Sequence, residues 1–480
     1  MKTPALFLLP LFLLGATGTF DPTSVATLAR QAPPEFAADA MIRLASSAIV
    51  DPRARVGLLT EAFRRAADAQ HPLKFSASIT RGGGVGGFLD RAYQQDLDAL
   101  SLRMRAIEPM LALDSAKARK LFLTVARPEV PRIRCEEIVV YDVGRYYEVL
   151  GAVAKIGRHG AAKLLKDRVG GLTSPAQIAP VARLLQQAPL KDSELQTFTL
   201  SLAASLQEIS GDDRTFTYYA SVTGPAIRDL AEELKSRHLS PLPLLEAYRL
   251  FLVHHLAGDR CADDDLMNNG PTSVNLVTGR PNDLLGWGAA AFFAQKILMP
   301  PLKALTEQET TPHTLEGFAA GLRSCQDAQC QDVNLRLREL AFAPDGHPLL
   351  ESQHDTEAWR ARLQGVLAAL DAWQPATGQA DGVFREKTWV YNNLFSVSPG
   401  PSRERVLHAW LEYLKQSRST VSDRAQWLLP VSALIGRVAL DPTNPRLAEQ
   451  LRRQDDPVIA LYTQLEAVQP RPTEKILSLL

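Results

Sequence analysis

The sequence has no charge of either sign to spare, since 53 basic side chains offset 53 acidic ones among 480 residues. Proteins that hold polyanions concentrate positive charge to displace counterions from phosphates, so nucleic acid is not an expected partner. Glycine and proline are limited to 29 and 32 residues, which excludes collagen-like and low-complexity chains, and an apolar share of 46% excludes intrinsic disorder. Cysteine occurs only four times, with no C-x2-C pair and no H-x3-5-H partner, so a structural zinc site has no frame. G-x-S-x-G, H-E-x-x-H and G-x-x-x-x-G-K-[ST] are missing, which removes the local signatures of common exported hydrolases and of P-loop enzymes.

After the first twenty residues no stretch approaches 18 uninterrupted apolar side chains, so no stable membrane anchor is expected. Those first residues carry the clearest information. Lys2 precedes an apolar run from Ala5 to Leu14, Pro10 interrupts it, and Ala16 and Gly18 supply small side chains at the positions a signal peptidase inspects. Residues 1–18 therefore read as a secretory signal peptide. The first cysteine, Cys135, lies far from that cleavage site, which excludes lipoprotein acylation. With no Asn-x-Ser/Thr sequon and far more arginine than lysine, a bacterial periplasmic or secreted protein fits best.

Export makes Cys135, Cys261, Cys325 and Cys330 candidate disulfide cysteines, with three connectivities open. Five positions on a continuous helix turn a side chain by about 140°, so a Cys325–Cys330 bond requires the residues between them to leave the helix.

What the chain has in quantity is helical periodicity. Phe36, Ala37, Ala40, Met41 and Leu44 recur at spacings of three and four, and Val56, Leu59, Ala62, Phe63, Ala66 and Ala67 repeat the pattern up to His71-Pro72. Leu97, Leu100, Met104, Ile107 and Leu111 line a further helix, and Asp114 is placed to cap the next, which Pro128 ends. Later helices are expected over 178–187, 193–209, 225–237, 242–256, 316–324, 357–373, 403–415 and 424–440. Period-two alternation is rare, Phe75 to Ile79 being the nearest case. The prediction is an all-α fold of irregular stacked helical hairpins, an α-solenoid or α-α superhelix. An N-terminal region (19–261) and a C-terminal region (284–480) are joined by an irregular segment (262–283) rich in Asp, Asn, Gly and Pro.

The endings "EAFRRAADAQHP" and "ARKLFLTVARP" are each an Ala/Phe helix stopped by proline, and they resemble the second helix of tetratricopeptide-like repeats. Their proline stops lie 56 residues apart, at Pro72 and Pro128, rather than at the 34-residue period of that family. The stretches "LDALSLRMRAIEPMLALDSAKARKLF" and "DRCADD" resemble exported all-helical bacterial proteins of unknown function. The resemblance implies a helical scaffold and no activity.

Three groups of residues invite a chemical reading. His254, His255, Asp259, Arg260, Cys261, Asp263, Asp264 and Asp265 crowd a short segment, but adjacent histidines on a helix diverge by about 100° and three consecutive aspartates lack the alternation of a calcium loop. No metal and no cofactor is expected there. Arg260, Asp263, Asp264 and Asp265 are the candidate binding residues, because packing explains them least. Gly82, Gly84 and Gly87 match G-x-G-x-x-G, but helices follow where a Rossmann unit needs its second strand, which leaves a glycine loop. All six tryptophans lie in the C-terminal half, either as core packing or as the lining of a cavity. Two functions fit these observations: an exported interaction or scaffold protein with a protein or peptide partner, or an exported glycoside or peptide hydrolase working between the helical regions.

Overall fold

A computed structural model describes residues 21–77, 84–135, 137–156, 160–261, 313–315, 328–342, 356–376, 378–441 and 444–468. The signal-peptide segment, the 262–283 segment, the helix expected over 316–324, and Asp263, Asp264, Asp265, Cys325, Gly82 and Trp287 lie outside them. The described chain is all-α, and its strands form only two two-stranded pairings among the described residues. No helix among those residues is long and apolar enough to cross a membrane.

Aspartate sets many of the helix starts by accepting hydrogen bonds from free N–H groups of the first turn. Asp51 accepts from the Arg53 backbone N–H at 2.8 Å ahead of Pro52–Arg65, and Asp98 from that of Ser101 at 2.8 Å ahead of Ala99–Leu113. Asp114 caps Ser115–Leu123 as its position predicts, accepting from Lys117 at 3.0 Å. Ile178–Gln187, Leu242–Leu256 and Arg424–Leu440 fall where the periodicity puts them. The helix expected to begin at Pro225 instead runs from Thr215 to Ser236 with the proline inside it. Phe216, Tyr219, Ala220, Ala226 and Ile227 carry one buried stripe through the proline, and that burial outweighs the lost backbone bond. Gly84, Gly86 and Gly87 of the glycine run are also helical, since Gly84 opens the helix Gly84–Tyr93.

The alternation at Phe75 marks a real strand. Lys74–Ala77 pairs antiparallel with Val139–Asp142, placing Phe75 opposite Tyr141. The second pairing is parallel, Asp259–Cys261 against His313–Leu315, with Arg260 in register with Thr314. A disulfide joins Cys135 to Cys261 with Cα atoms 5.4 Å apart, which selects one of the connectivities left open by the sequence. Cys330 is also disulfide-bonded.

Helices pack mainly on near neighbours in sequence. Pro34–Ser46 lies on Pro52–Arg65, which lies on Ala99–Leu113, and the succession continues through Gly144–Ile156, Ile178–Gln187 and Thr215–Ser236. The last described helices then return to the first: Pro457–Val468 packs on Pro22–Gln31 and Pro34–Ser46, and Arg424–Leu440 packs on Gly84–Tyr93. One continuous apolar core results, containing Phe36, Phe122 and Leu150 from the N-terminal side and Trp427 and Tyr462 from the C-terminal side. Four of the tryptophans, Trp359, Trp373, Trp410 and Trp427, are buried, whereas Trp389 is exposed.

Candidate functional site

Polar groups converge in two described places, and their geometry separates a structural seam from a binding site. The seam lies where the C-terminal helices meet the N-terminal ones. Asp423 caps Arg424–Leu440 through the Ala425 N–H at 2.8 Å, and its other oxygen accepts from the Tyr93 hydroxyl at 2.9 Å and lies 3.3 Å from His71 Nε2. Burial opposes ionisation of Asp423, yet the bonds from His71 and Tyr93 prevail and hold its pKa below the ordinary value. The same hydrogen bond to Asp423, opposed by partial burial, raises the pKa of His71. Arg424 reaches the buried Glu35 at 2.9 Å, and Gln70 donates to the Ser422 carbonyl at 2.6 Å. Between these groups is a cavity of about 20 Å³, lined by Glu35, His71, Lys74, Tyr93, Asp98 and Arg424. Asp98 is buried there, and desolvation raises its pKa to about 6. Two carboxylates and an imidazole around one space suggest hydrolysis, but a cavity this small holds about one water. Asp423, Tyr93, Arg424 and Glu35 join helices across the seam, and Asp98 caps its own helix by accepting from the Ser101 N–H.

The second place is a groove of about 310 Å³ beside Lys387, within the range of small-ligand sites. Glu357–Ala372, Ala380–Val397 and Gly400–Ser417 form its walls. On Ala380–Val397 the buried stripe reads Val383, Phe384, Lys387, Tyr391 and Leu394, so helical spacing turns a lysine toward the interior among apolar neighbours. Lys387 is only 5% exposed. Its Nζ lies 5.1 Å from the Tyr413 ring centre and 5.9 Å from that of Trp373. Tyr391 stacks on Tyr413 at 5.5 Å, and Phe384 extends the stack at 6.0 Å from Tyr413. Among the described residues no carboxylate forms an ion pair with the amine. Loss of hydration lowers the Lys387 pKa to about 8, with only the Asp371 charge acting in the other direction. Burial raises the pKa values of Tyr391 and Tyr413, so both hydroxyls stay protonated. Gln374 and Gln416 lie at the mouth, together with Asp371 and Glu412. Glu412 is engaged by Lys415 at 2.9 Å.

The sequence offers one sign of this groove: a lone lysine in the apolar face of "VFREKTWVYNNLF". Its partners Tyr413 and Trp373 come from other helices, so only the fold assembles the site. The Arg260 backbone sits in the parallel pairing beside the Cys135–Cys261 disulfide, and Asp263, Asp264 and Asp265 lie outside the described residues. His255 is fully buried, with Nδ1 2.9 Å from the Phe251 carbonyl and its ring 4.1 Å from that of Phe251. It packs in the core.

Comparison with known proteins gives no assignment. No protein-family model, no curated protein and no solved structure matches the chain. The groove must therefore be read from its own chemistry.

An ammonium group with so little hydration destabilises the fold that contains it. The folded pKa lies below the unfolded value of 10.5. The cost is therefore complete below about pH 8 and disappears as pH rises through that interval. A Lys387→Met variant is expected to be about 2–3 kcal/mol more stable than wild type at pH 7, the two ring faces having offset part of the cost. That advantage should shrink above pH 8, as measured by urea denaturation of both proteins across the pH range.

Proposed function

We propose that the chain is an exported binding or scaffold protein, a stack of helical hairpins that holds a protein or peptide partner in the groove beside Lys387. The observation that carries this reading is the groove itself: an aromatic wall and one buried amine, built on three packed helices and open at an edge of polar side chains. Concave sites on rigid helical frames bind through such pockets, with few polar groups fixing orientation. The balanced composition supports a peptide rather than nucleic acid as partner. A hydrolase reading is less well supported, because general acid catalysis calls for a carboxyl group shielded from water and Asp371 at the mouth is exposed.

Ala409 sits at the edge of the groove and is only partly buried, so Ala409→Trp fills the space without opening the core. Peptides enriched from a random display library on the wild-type protein are expected to lose at least tenfold in affinity for Ala409→Trp, with unchanged circular dichroism. Equal affinity for both proteins would remove the groove as the binding site. Turnover of generic glycoside, ester or peptide substrates that is abolished by Asp263→Ala or Asp265→Ala, at unchanged melting temperature, would favour the hydrolase.

Export is part of the proposal and has its own test. Intact-mass measurement of protein recovered from outside the cytoplasm should give Thr19 as the mature N-terminus. Retention of Met1 would contradict a cleaved signal peptide.

A further inference from the structure

Lys387 raises a question that packing does not answer. A lysine buried to this extent is normally paired, and methionine would fill the same volume at lower cost. The missing element is a counter-ion, and the groove that borders the amine is where one would enter. We infer that the groove takes a ligand ending in a free carboxylate next to an apolar or aromatic group, with the carboxylate on Lys387 Nζ and the apolar part against Tyr391, Tyr413 and Phe384. This inference rests on the reading of the groove as the binding site and specifies the ligand chemistry.

Three features narrow the class. The anion should be singly charged, because one amine faces it while Asp371 and Glu412 at the mouth repel a second negative charge. A phosphate is disfavoured for the same reason, since among the residues lining the groove there is no arginine fork to grip it. The neighbouring part of the ligand should be flat or branched and apolar, to cover the stacked faces of Phe384, Tyr413 and Tyr391. The volume accommodates about ten heavy atoms, the size of a phenylpropanoate or of one C-terminal aromatic residue. Pairing would stabilise the charged form of the amine and so recover part of the cost of burying it.

The groups facing the amine set the controls. Asp371 approaches from Glu357–Ala372, Tyr413 and Glu412 from Gly400–Ser417, Trp373 from the turn after Ala372, and Tyr391 from the amine's own helix. Of these, Asp371 and Glu412 are the carboxylates, and Glu412 is held by Lys415.

Isothermal titration at pH 7 with 3-phenylpropanoate, its primary amide, and N-acetyl-Ala-Ala-Phe as free acid and as amide tests the inference. The acids are expected to bind at least tenfold more tightly than the corresponding amides. In Lys387→Met, whose fold should be the more stable one, acid and amide should become equal. Asp371→Asn should tighten binding of the acids two- to fivefold. Binding of the small acid alone identifies a free apolar acid as the occupant, whereas tighter binding of the peptide acid identifies a peptide C-terminus. The inference is overturned if no acid binds, if amides bind wild type as well as acids do, or if Lys387→Met leaves the acid-to-amide ratio unchanged. Display-selected peptides that remain sensitive to Ala409→Trp in any of those cases would leave the groove as a binding site and remove only the carboxylate.

Discussion

An Asp39→Ala variant is expected to lose about 3–5 kcal/mol of folding stability at pH 7, the cost of leaving a buried charge without its partner. Asp39 lies on Pro34–Ser46, 6% exposed, and accepts from Arg105 on Ala99–Leu113 at 2.5 Å and from the Tyr462 hydroxyl on Pro457–Val468 at 2.9 Å. One carboxylate thus joins the beginning, the body and the end of the described chain. Burial opposes its charge, but Arg105 and Arg43 overcome that and hold its pKa below the ordinary value of 3.8. The stabilisation is therefore present above that value and is lost as pH falls through the depressed folded pKa. Asp39→Asn, which keeps an acceptor for Tyr462 and removes the charge, should lie between wild type and alanine. Urea denaturation followed by circular dichroism measures all three. A loss below about 1 kcal/mol for alanine would mean that the return of the C-terminal helix does not depend on this contact.

Removal of the Cys135–Cys261 disulfide should cost about as much. The bond spans 126 residues of sequence, and closing a loop of that length restricts the unfolded chain by about 5 kcal/mol in the chain-entropy treatment. The Cys135 loop is also held without the bond. The Arg214 guanidinium donates to the Cys135 carbonyl at 2.7 Å, and the Arg214 backbone N–H donates to the Ile133 carbonyl at 3.2 Å. A Cys135→Ser/Cys261→Ser variant should for that reason keep the native helical spectrum while its melting temperature falls markedly. An unchanged melting temperature would contradict an effect exerted through the unfolded state.

The two halves of this picture differ in how far sequence alone reaches. Helix positions follow from local rules, and Asp114 announces a helix start because a capping carboxylate acts within three residues. The Phe75 strand is visible by alternation, but its partner Val139–Asp142 is not, since 64 residues separate Phe75 from Val139 and nothing local encodes the pairing. Pro225 misleads because proline is at home both at a helix start and, where packing compensates, within one. The meeting of Asp39 with Tyr462 and of His71 with Asp423 depends on contacts more than 350 residues apart. Lys387 is the instructive case. Its helical face is readable, but that it forms no ion pair among the described residues appears only once Tyr413 and Trp373 have been brought against it. The acidic run Asp263, Asp264 and Asp265 attracts attention for the opposite reason, because charge density in sequence is conspicuous whether or not a site surrounds it.

The most direct test of the groove is the titration of a single amine. Side-chain NMR of the lysine ε-carbons, with the Lys387 signal assigned by its loss in Lys387→Met, reports that protonation in the intact protein. In the free protein the midpoint should lie near 8, and saturating 3-phenylpropanoate should move it back towards the ordinary 10.5. A free-protein midpoint at 10.5 would contradict a buried, unpaired amine, and a midpoint near 8 that the acid leaves in place would contradict its pairing with a carboxylate ligand.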